Sequence, residues 1–242
     1  MANGVRPAGI RLALALALLA GLFCLAQPAP ERALSAQPAI VDLALVLAVD
    51  CSYSVDAREY VLQMRGLAEA FRKPEIQRAI ARGDRGRIAV ALVQWSDDAN
   101  QILAISWRVV GSPEEANAFA AAIDATPRNL AEGGTAIGQA LEFSATVFRF
   151  APIAARRVID MSSDGRNNRG VRPSLARDAV VAQGITINGL AIVNEWPTLD
   201  KYFEHQVVGG PDNFVIVAND YEAYAEAIYR KLLKEITGPG IS

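Results

Sequence analysis

The chain has 242 residues, of which 52% are hydrophobic, and a formal net charge of −2. That length is enough for one sizeable α/β domain with a full core. The mild acidity argues against a nucleic-acid partner, which usually meets a basic surface, and two cysteines, Cys24 and Cys51, are too few for a disulfide framework.

The first residues read as a processing segment. A basic start with Arg6 and Arg11 leads into the apolar run Leu12 to Leu25, and Cys24-Leu25-Ala26 has the small-x-small form of a signal-peptidase site. The run is shorter than the roughly 20 residues of a spanning helix. Residues 1–26 are therefore expected to be a cleaved export signal, leaving no stable membrane span and a periplasmic or secreted product. A retained anchor is the competing reading. A lipoprotein fits less well, because Phe23 stands where lipidation signals carry a small residue. Cleavage removes Arg6, Arg11 and Cys24, so the charge becomes −4 and only Cys51 remains. No internal disulfide is then possible. Residues 27–38, rich in Pro, Ala and Gln and without periodicity, read as a flexible linker.

From Ile40 onward, apolar runs alternate with helical patterns. Ile40 to Val49 reads as the first strand, and its unbroken apolar run from Leu43 to Val49 is the signature of burial on both faces. A helix follows with Asp56 as its N-cap and Glu59 completing a capping box, carrying Tyr60, Leu62, Met64, Leu67 and Phe71. Pro74 is expected to end it. The predominantly basic stretch 72–87 reads as a solvated helix and turn, with contact to an acidic partner as the alternative. Strands over 87–95 and 101–110 around the polar Ser96 to Asn100 predict a hairpin. A second capping box, Ser112-Pro113-Glu114-Glu115, opens a helix to about Ile123. A third helix is expected from about Thr135. A strand ends at Asp164, a helix covers Leu175 to Ala182, strands cover 185–193 and 213–218, and an amphipathic helix from Asp220 to Ile236 closes the domain. This alternation predicts a three-layer, doubly wound, Rossmann-like α/β fold: a mostly parallel sheet with one antiparallel edge strand and helices on both faces.

In such sheets ligands bind beyond the carboxyl ends of the strands, where strand order reverses. Asp50 and Asp164 stand at two such ends, with Ser52 and Ser54 leaving the first strand and Thr135 behind Gly133-Gly134. All five offer oxygen, which suits Mg²⁺, Mn²⁺ or Ca²⁺ far better than zinc or copper. Taken singly, each residue is better explained as a cap or turn former. As a set they are not, because two neighbouring buried carboxylates left uncompensated cost several kcal/mol.

"DCSYS" at 50–54, Thr135 in "EGGTAIGQAL" and Asp164 in "MSSDG" resemble the three metal-binding loops of the von Willebrand factor type A domain, over roughly residues 39–237. Residues 238–242 then form a short tail. Exported bacterial members of that family are similar across the whole chain. The resemblance implies a metal-ion-dependent adhesion site in which Ser52, Ser54 and Thr135 are ligands and Asp50 and Asp164 are outer anchors. Mg²⁺ is the expected ion, with Mn²⁺ or Ca²⁺ as substitutes. An Asp or Glu carboxylate of a protein partner would complete the coordination. Ser163 departs from the family's usual threonine and is not expected to be a ligand.

Other chemistries have less support. Cys51 and His205 are the sole thiol and imidazole left after cleavage, but Cys51 lies inside the metal motif and is expected to pack under its loop, with His205 on a helix surface. "GGTAIGQA" carries Gln139 and Ala140 where a phosphate-binding loop needs Lys and Ser or Thr. No serine-hydrolase or zinc-protease motif occurs. An aspartyl-phosphatase at Asp50 would want a second carboxylate at Ser52. Trp196 reads equally as a rim or a core anchor. The expectation is a binding module rather than an enzyme, with a metal-dependent hydrolase or a scaffold bearing a relic site as alternatives.

Overall fold

The computed structural model describes residues 40–131 and 133–238, together with Met1 and Gly4. The segments expected to be an export signal and a linker, Met1 and Gly4 apart, and residues 239–242 lie outside the described residues. Contacts group Pro38–Ser242 as one unit, apart from Met1–Gln37. No helix among the described residues is long and apolar enough to cross a membrane.

Strand β1 (Ile40–Asp50) alternates its side chains between two cores. Leu43, Leu45, Leu47 and Val49 enter one, and Ala44, Val46 and Ala48 the other. A strand covered on both faces has no polar side to show, which is why its sequence is apolar without a break from Leu43 to Val49. Strands β2 (Ile88–Trp95), β3 (Gln101–Val110), β4 (Ile153–Ser163), β5 (Thr186–Ile192) and β6 (Val215–Ala218) complete a sheet of order β3-β2-β1-β4-β5-β6. Every pairing is parallel except the β2–β3 hairpin. The chain leaves β1 toward β2 on one side and returns to β4 on the other, so strand order reverses between β1 and β4. Asp50 and Asp164 flank that crevice.

Helices α1 (Ala57–Arg72), α2 (Pro74–Ala81), α3 (Pro113–Asp124) and α7 (Tyr224–Thr237) cover one face. Helices α4 (Ile137–Val147), α5 (Pro173–Val181) and α6 (Leu199–Tyr202), continued by a π-turn over Phe203–Val207, cover the other. Both predicted capping boxes form: Asp56 and Ser112 accept from the backbone of Glu59 and Glu115, whose side chains return to the caps. Local chemistry alone places these two helix starts.

Of the predicted boundaries, three shift with a visible local or tertiary cause. Pro74 ends α1 but also opens α2 as its first residue, where a missing N–H costs nothing. Ile76, Ala79 and Ile80 bury one face of α2 and leave its basic residues to solvent. Helix α4 begins at Ile137 rather than Thr135. Thr135 is held in the loop because its N–H donates to Asn168 Oδ1 at 2.9 Å and its carbonyl accepts from the Asn168 N–H at 2.9 Å. Helix α7 begins at Tyr224 rather than Asp220, and Asp220 instead closes a turn by accepting from Ala223 N–H at 2.7 Å.

The fold predicts unequal costs for two truncations. Leu45→Ala, which empties a fully buried position, should lower unfolding free energy by about 2–5 kcal/mol in urea titration. Ser112→Ala, which removes a cap, should cost about 0.5–2 kcal/mol.

Candidate metal centre

The carboxyl end of β1 delivers Asp50 into the crevice, fully buried, and the chain then bends sharply. Ser52 N–H turns back to Asp50 Oδ1 at 2.6 Å, so the loop folds over its own carboxylate. That bend brings the Ser52 and Ser54 hydroxyls to 3.2 Å from each other and leaves Tyr53 pointing outward, 77% exposed. From β4, Asp164 reaches the same point: its Oδ1 accepts from the Ser54 hydroxyl at 2.7 Å. Thr135 arrives on the third loop. A Cβ placed on Gly165 would stand 3.3 Å from the Thr135 hydroxyl and 3.9 Å from that of Ser54. The fold therefore brings all five predicted residues together, around a gap that one methyl group on Gly165 would crowd.

Four further residues hold the loops, and none belongs to the sequence motif. Ser163 was set aside at the sequence level, yet its hydroxyl donates to Asp50 Oδ2. Tyr221, in the bend before α7, donates to Asp164 Oδ2 at 2.9 Å. Arg128 donates to the carbonyls of Cys51 at 2.8 Å, Ser52 at 3.1 Å and Val55 at 2.9 Å, tying down the whole "DCSYS" turn with one guanidinium. Asp97 accepts from Gly134 N–H at 3.2 Å, and Tyr53 N–H donates to the Gly133 carbonyl at 2.9 Å, docking the threonine loop onto the first loop. Contacts between elements far apart in sequence leave no short-range signature by which a motif search finds them.

The electrostatics of the crevice are unfavourable as they stand. Burial, with the charge of Asp164 next, pushes Asp50 up to about 7, against the opposing hydrogen bonds from Ser163 and Ser52. Asp164 is also held above the ordinary carboxylate range by burial, although Ser54 and Tyr221 donate to it. Tyr221 is shifted upward by burial and by both carboxylates, so it remains a proton donor. Burial first, and Asp50 second, push the Cys51 thiol up to about 12. An inert, fully buried thiol is what packing under the loop produces. His205 is exposed on the π-turn, with Nδ1 on the Lys201 carbonyl at 2.6 Å, and forms no pair with Cys51.

The rim is ordered as well. The Arg166 guanidinium lies over the Trp196 ring at 5.1 Å and the Tyr202 ring at 5.6 Å, and donates to the Thr198 hydroxyl at 2.7 Å. Trp196 is 46% exposed, which makes it a rim residue and not a core anchor. Two cavities lie elsewhere, about 690 Å³ at the amino ends of β4 and β5 and about 700 Å³ between α2 and α7.

Could this donor set hold a dication? Three hydroxyls and two carboxylates supply only hard oxygen atoms, and the bonds of Ser54 to Asp164 and Ser163 to Asp50 spend hydroxyl protons on the carboxylates while leaving oxygen lone pairs free. Among the described residues no group of three or more His, Cys, Asp and Glu is found. The fit is to a hard, hydroxyl-rich site.

Solved structures share this architecture. Proximal thread matrix protein 1 from the mussel byssus is 17% identical with a TM-score of 0.61, over 81% of this chain and 48% of that one. A further structure of it, described as having a zinc-occupied MIDAS motif, is 17% identical with a TM-score of 0.55, over 81% and 48% of the two chains. A von Willebrand factor type A protein from Catenulispora acidiphila is 17% identical with a TM-score of 0.55, over 82% and 43%. The pilus adhesin SpaC of Lactobacillus rhamnosus GG is 15% identical with a TM-score of 0.59, over 83% and 31%. The chain spans half or less of the length of each. No curated protein matches it. The likeness shows a von Willebrand A-type fold, and a family model matching residues 40–240 shows that the chain belongs to the family described as Protein of unknown function (DUF1194).

Proposed function

We propose that this chain is an exported binding module that holds a divalent cation between Ser52, Ser54 and Thr135, with Asp50 and Asp164 as outer anchors, and through it engages an acidic group of a protein partner. One observation carries the reading: two buried carboxylates converge with three hydroxyls at the strand-order switch, and among the described residues no side-chain cation is hydrogen-bonded to either carboxylate. Uncompensated buried charge of that kind costs several kcal/mol, and a bound dication offsets it. The ion would supply a Lewis-acidic position open to a carboxylate. The chain's residues do the rest. Arg128 holds the first loop in its bend, Ser163 and Tyr221 fix the carboxylate orientations, and Asn168 positions Thr135.

The likeness to a pilus adhesin, and to a mussel byssus protein described with a zinc-occupied MIDAS motif, supports the binding reading. Mg²⁺ is the ion proposed for this oxygen set, with Mn²⁺, Ca²⁺ and Zn²⁺ as competitors. The hydrolase alternative asks Asp50 to attack, yet both of its oxygens are engaged, Oδ1 by Ser52 N–H and Oδ2 by the Ser163 hydroxyl. A nucleophile needs a free lone pair aimed at substrate. The binding reading has no such requirement.

Calorimetric titration of Mg²⁺, Mn²⁺ and Zn²⁺ tests the proposal. Saturable binding by the parent, lost in a folded Ser52→Ala, Ser54→Ala double variant, is the expected result. No binding of any of the three by a folded parent would overturn the site.

Asp50 gives a second test through pH. Its folded value lies above its ordinary value of 3.8, so without metal its contribution to stability is fully present below about 3.8 and is lost as pH rises to about 7. In EDTA the parent's Tm should fall across that window more steeply than that of Asp50→Asn. Added Mg²⁺ should restore the parent at pH 7 and leave the variant unchanged. Arg128→Ala, which orphans three loop carbonyls, should cost about 1.5–3 kcal/mol in chemical denaturation and weaken Mg²⁺ binding.

A further inference from the structure

A second polar cluster lies far from the metal centre, buried between α7 and the sheet. Lys231 is fully buried, Asp160 and Glu235 are each 2% exposed, and Asn188 is 3% exposed. Lys231 Nζ lies 2.8 Å from Asp160 Oδ1 and 2.7 Å from Glu235 Oε1. Asn188 Nδ2 donates to the same Glu235 oxygen at 2.9 Å. Asp160 Oδ2 and Glu235 Oε2 have no partner among the described residues, and neither does the Tyr224 hydroxyl. The Phe214 ring stands 5.9 Å from the lysine nitrogen.

This is an uneconomical way to hold a helix by charge alone. One ammonium lies between two carboxyl groups out of water, and one oxygen of each has no partner among the described residues, where buried polar atoms normally find one. It is an effective way to hold reactants. An amine touches a carboxyl oxygen, so the carboxyl carbon is one bond further on. A second carboxyl group bridges the amine and an amide donor, and all four side chains are buried. Burial and the charge of Asp160 push Glu235 up to about 8, against the opposing influence of Lys231, so it carries a proton near neutrality.

From this geometry we propose that Lys231 and Asp160 join in an intramolecular amide bond, with Glu235 as the proton shuttle, so that α7 is covalently fixed to the central strand β4. The ammonium first gives one proton to Asp160, leaving a neutral amine beside a neutral carboxyl group. The amine lone pair attacks Asp160 Cγ and the C–N bond forms. Glu235 takes the next nitrogen proton and delivers a proton to the departing oxygen. The Cγ–O bond breaks and one water leaves. The lysine nitrogen ends with one hydrogen, two protons have gone into the water, and Glu235 is regenerated. Charge balances, since one ammonium and one carboxylate become a neutral amide, and no oxidant or co-reactant is needed. Proximity supplies the acceleration that bulk water denies this condensation. Glu235 and Asn188 also line the 690 Å³ cavity at this end of the sheet, which gives the released water a way out.

Tryptic digestion and tandem mass spectrometry of the folded full chain test this directly. The expected species is Val158–Arg166 joined to Lys231–Lys234, one water lighter than the two peptides together, with uncleaved acylated Lys231. Asp160→Asn should form the same amide by releasing ammonia instead of water, an outcome that an ion pair alone does not produce. Glu235→Gln should lose the joined peptide while keeping both reacting groups. Recovery of the two peptides separate and unmodified from folded parent protein would overturn the proposal. So would a joined peptide carrying Asn188 in place of Asp160, since the acceptor assignment would then be wrong. None of these results depends on metal binding.

Discussion

Asp50 and Asp164 repel each other across the gap between β1 and β4, and much of the surrounding architecture serves to keep them there. Parallel pairing of the two strands brings their carboxyl ends side by side. A hydroxyl from the neighbouring loop or strand is donated to each carboxylate, from Ser163 to Asp50 and from Ser54 to Asp164. The two hydrophobic cores, one on each side of β1, supply the stability against which this local cost is set. A site that is unfavourable when empty and relieved by charge is a common way for a fold to hold binding energy in reserve.

Much of the fold was legible in the residues because it is written in short-range patterns. The unbroken apolar run before Asp50 announced a strand covered twice, and both capping boxes marked their helix starts to the residue. The five oxygen donors were legible as a spaced motif, and the structure assembles them at one point. What escaped was set by contacts between distant segments. Thr135 was expected to open a helix, but Asn168 holds it in a loop. Tyr221 was expected inside a helix, but it lies in the bend that sends its hydroxyl to Asp164. Arg128 carries no motif at all, and only the folded chain sets it beneath three carbonyls.

The Lys231–Glu235 pair shows the same limit from the opposite direction. On an amphipathic helix, a lysine and a glutamate four apart read as a solvent-facing ion pair. In the fold they face inward onto β4, because the last helix lays its polar pair against Asp160 and Asn188 instead of an apolar strand. A central strand that carries an aspartate in mid-run is the only trace of this in the sequence. It is visible as Asp160 in "VIDMSS".

The stacked rim has a consequence for recognition. Arg166 is clasped between two aromatic rings and a threonine hydroxyl. A guanidinium restrained in this way has already surrendered most of its rotamer freedom, so a ligand that contacts it bears little of the ordering cost that a free arginine would impose. With the surface arranged before the encounter, variation at Trp196 or Tyr202 would be felt as a change in how often approach succeeds as well as in how long contact lasts. In the proposed binding role the aromatic pair would act as a setting for the arginine, bearing on the timing of association from just outside the crevice.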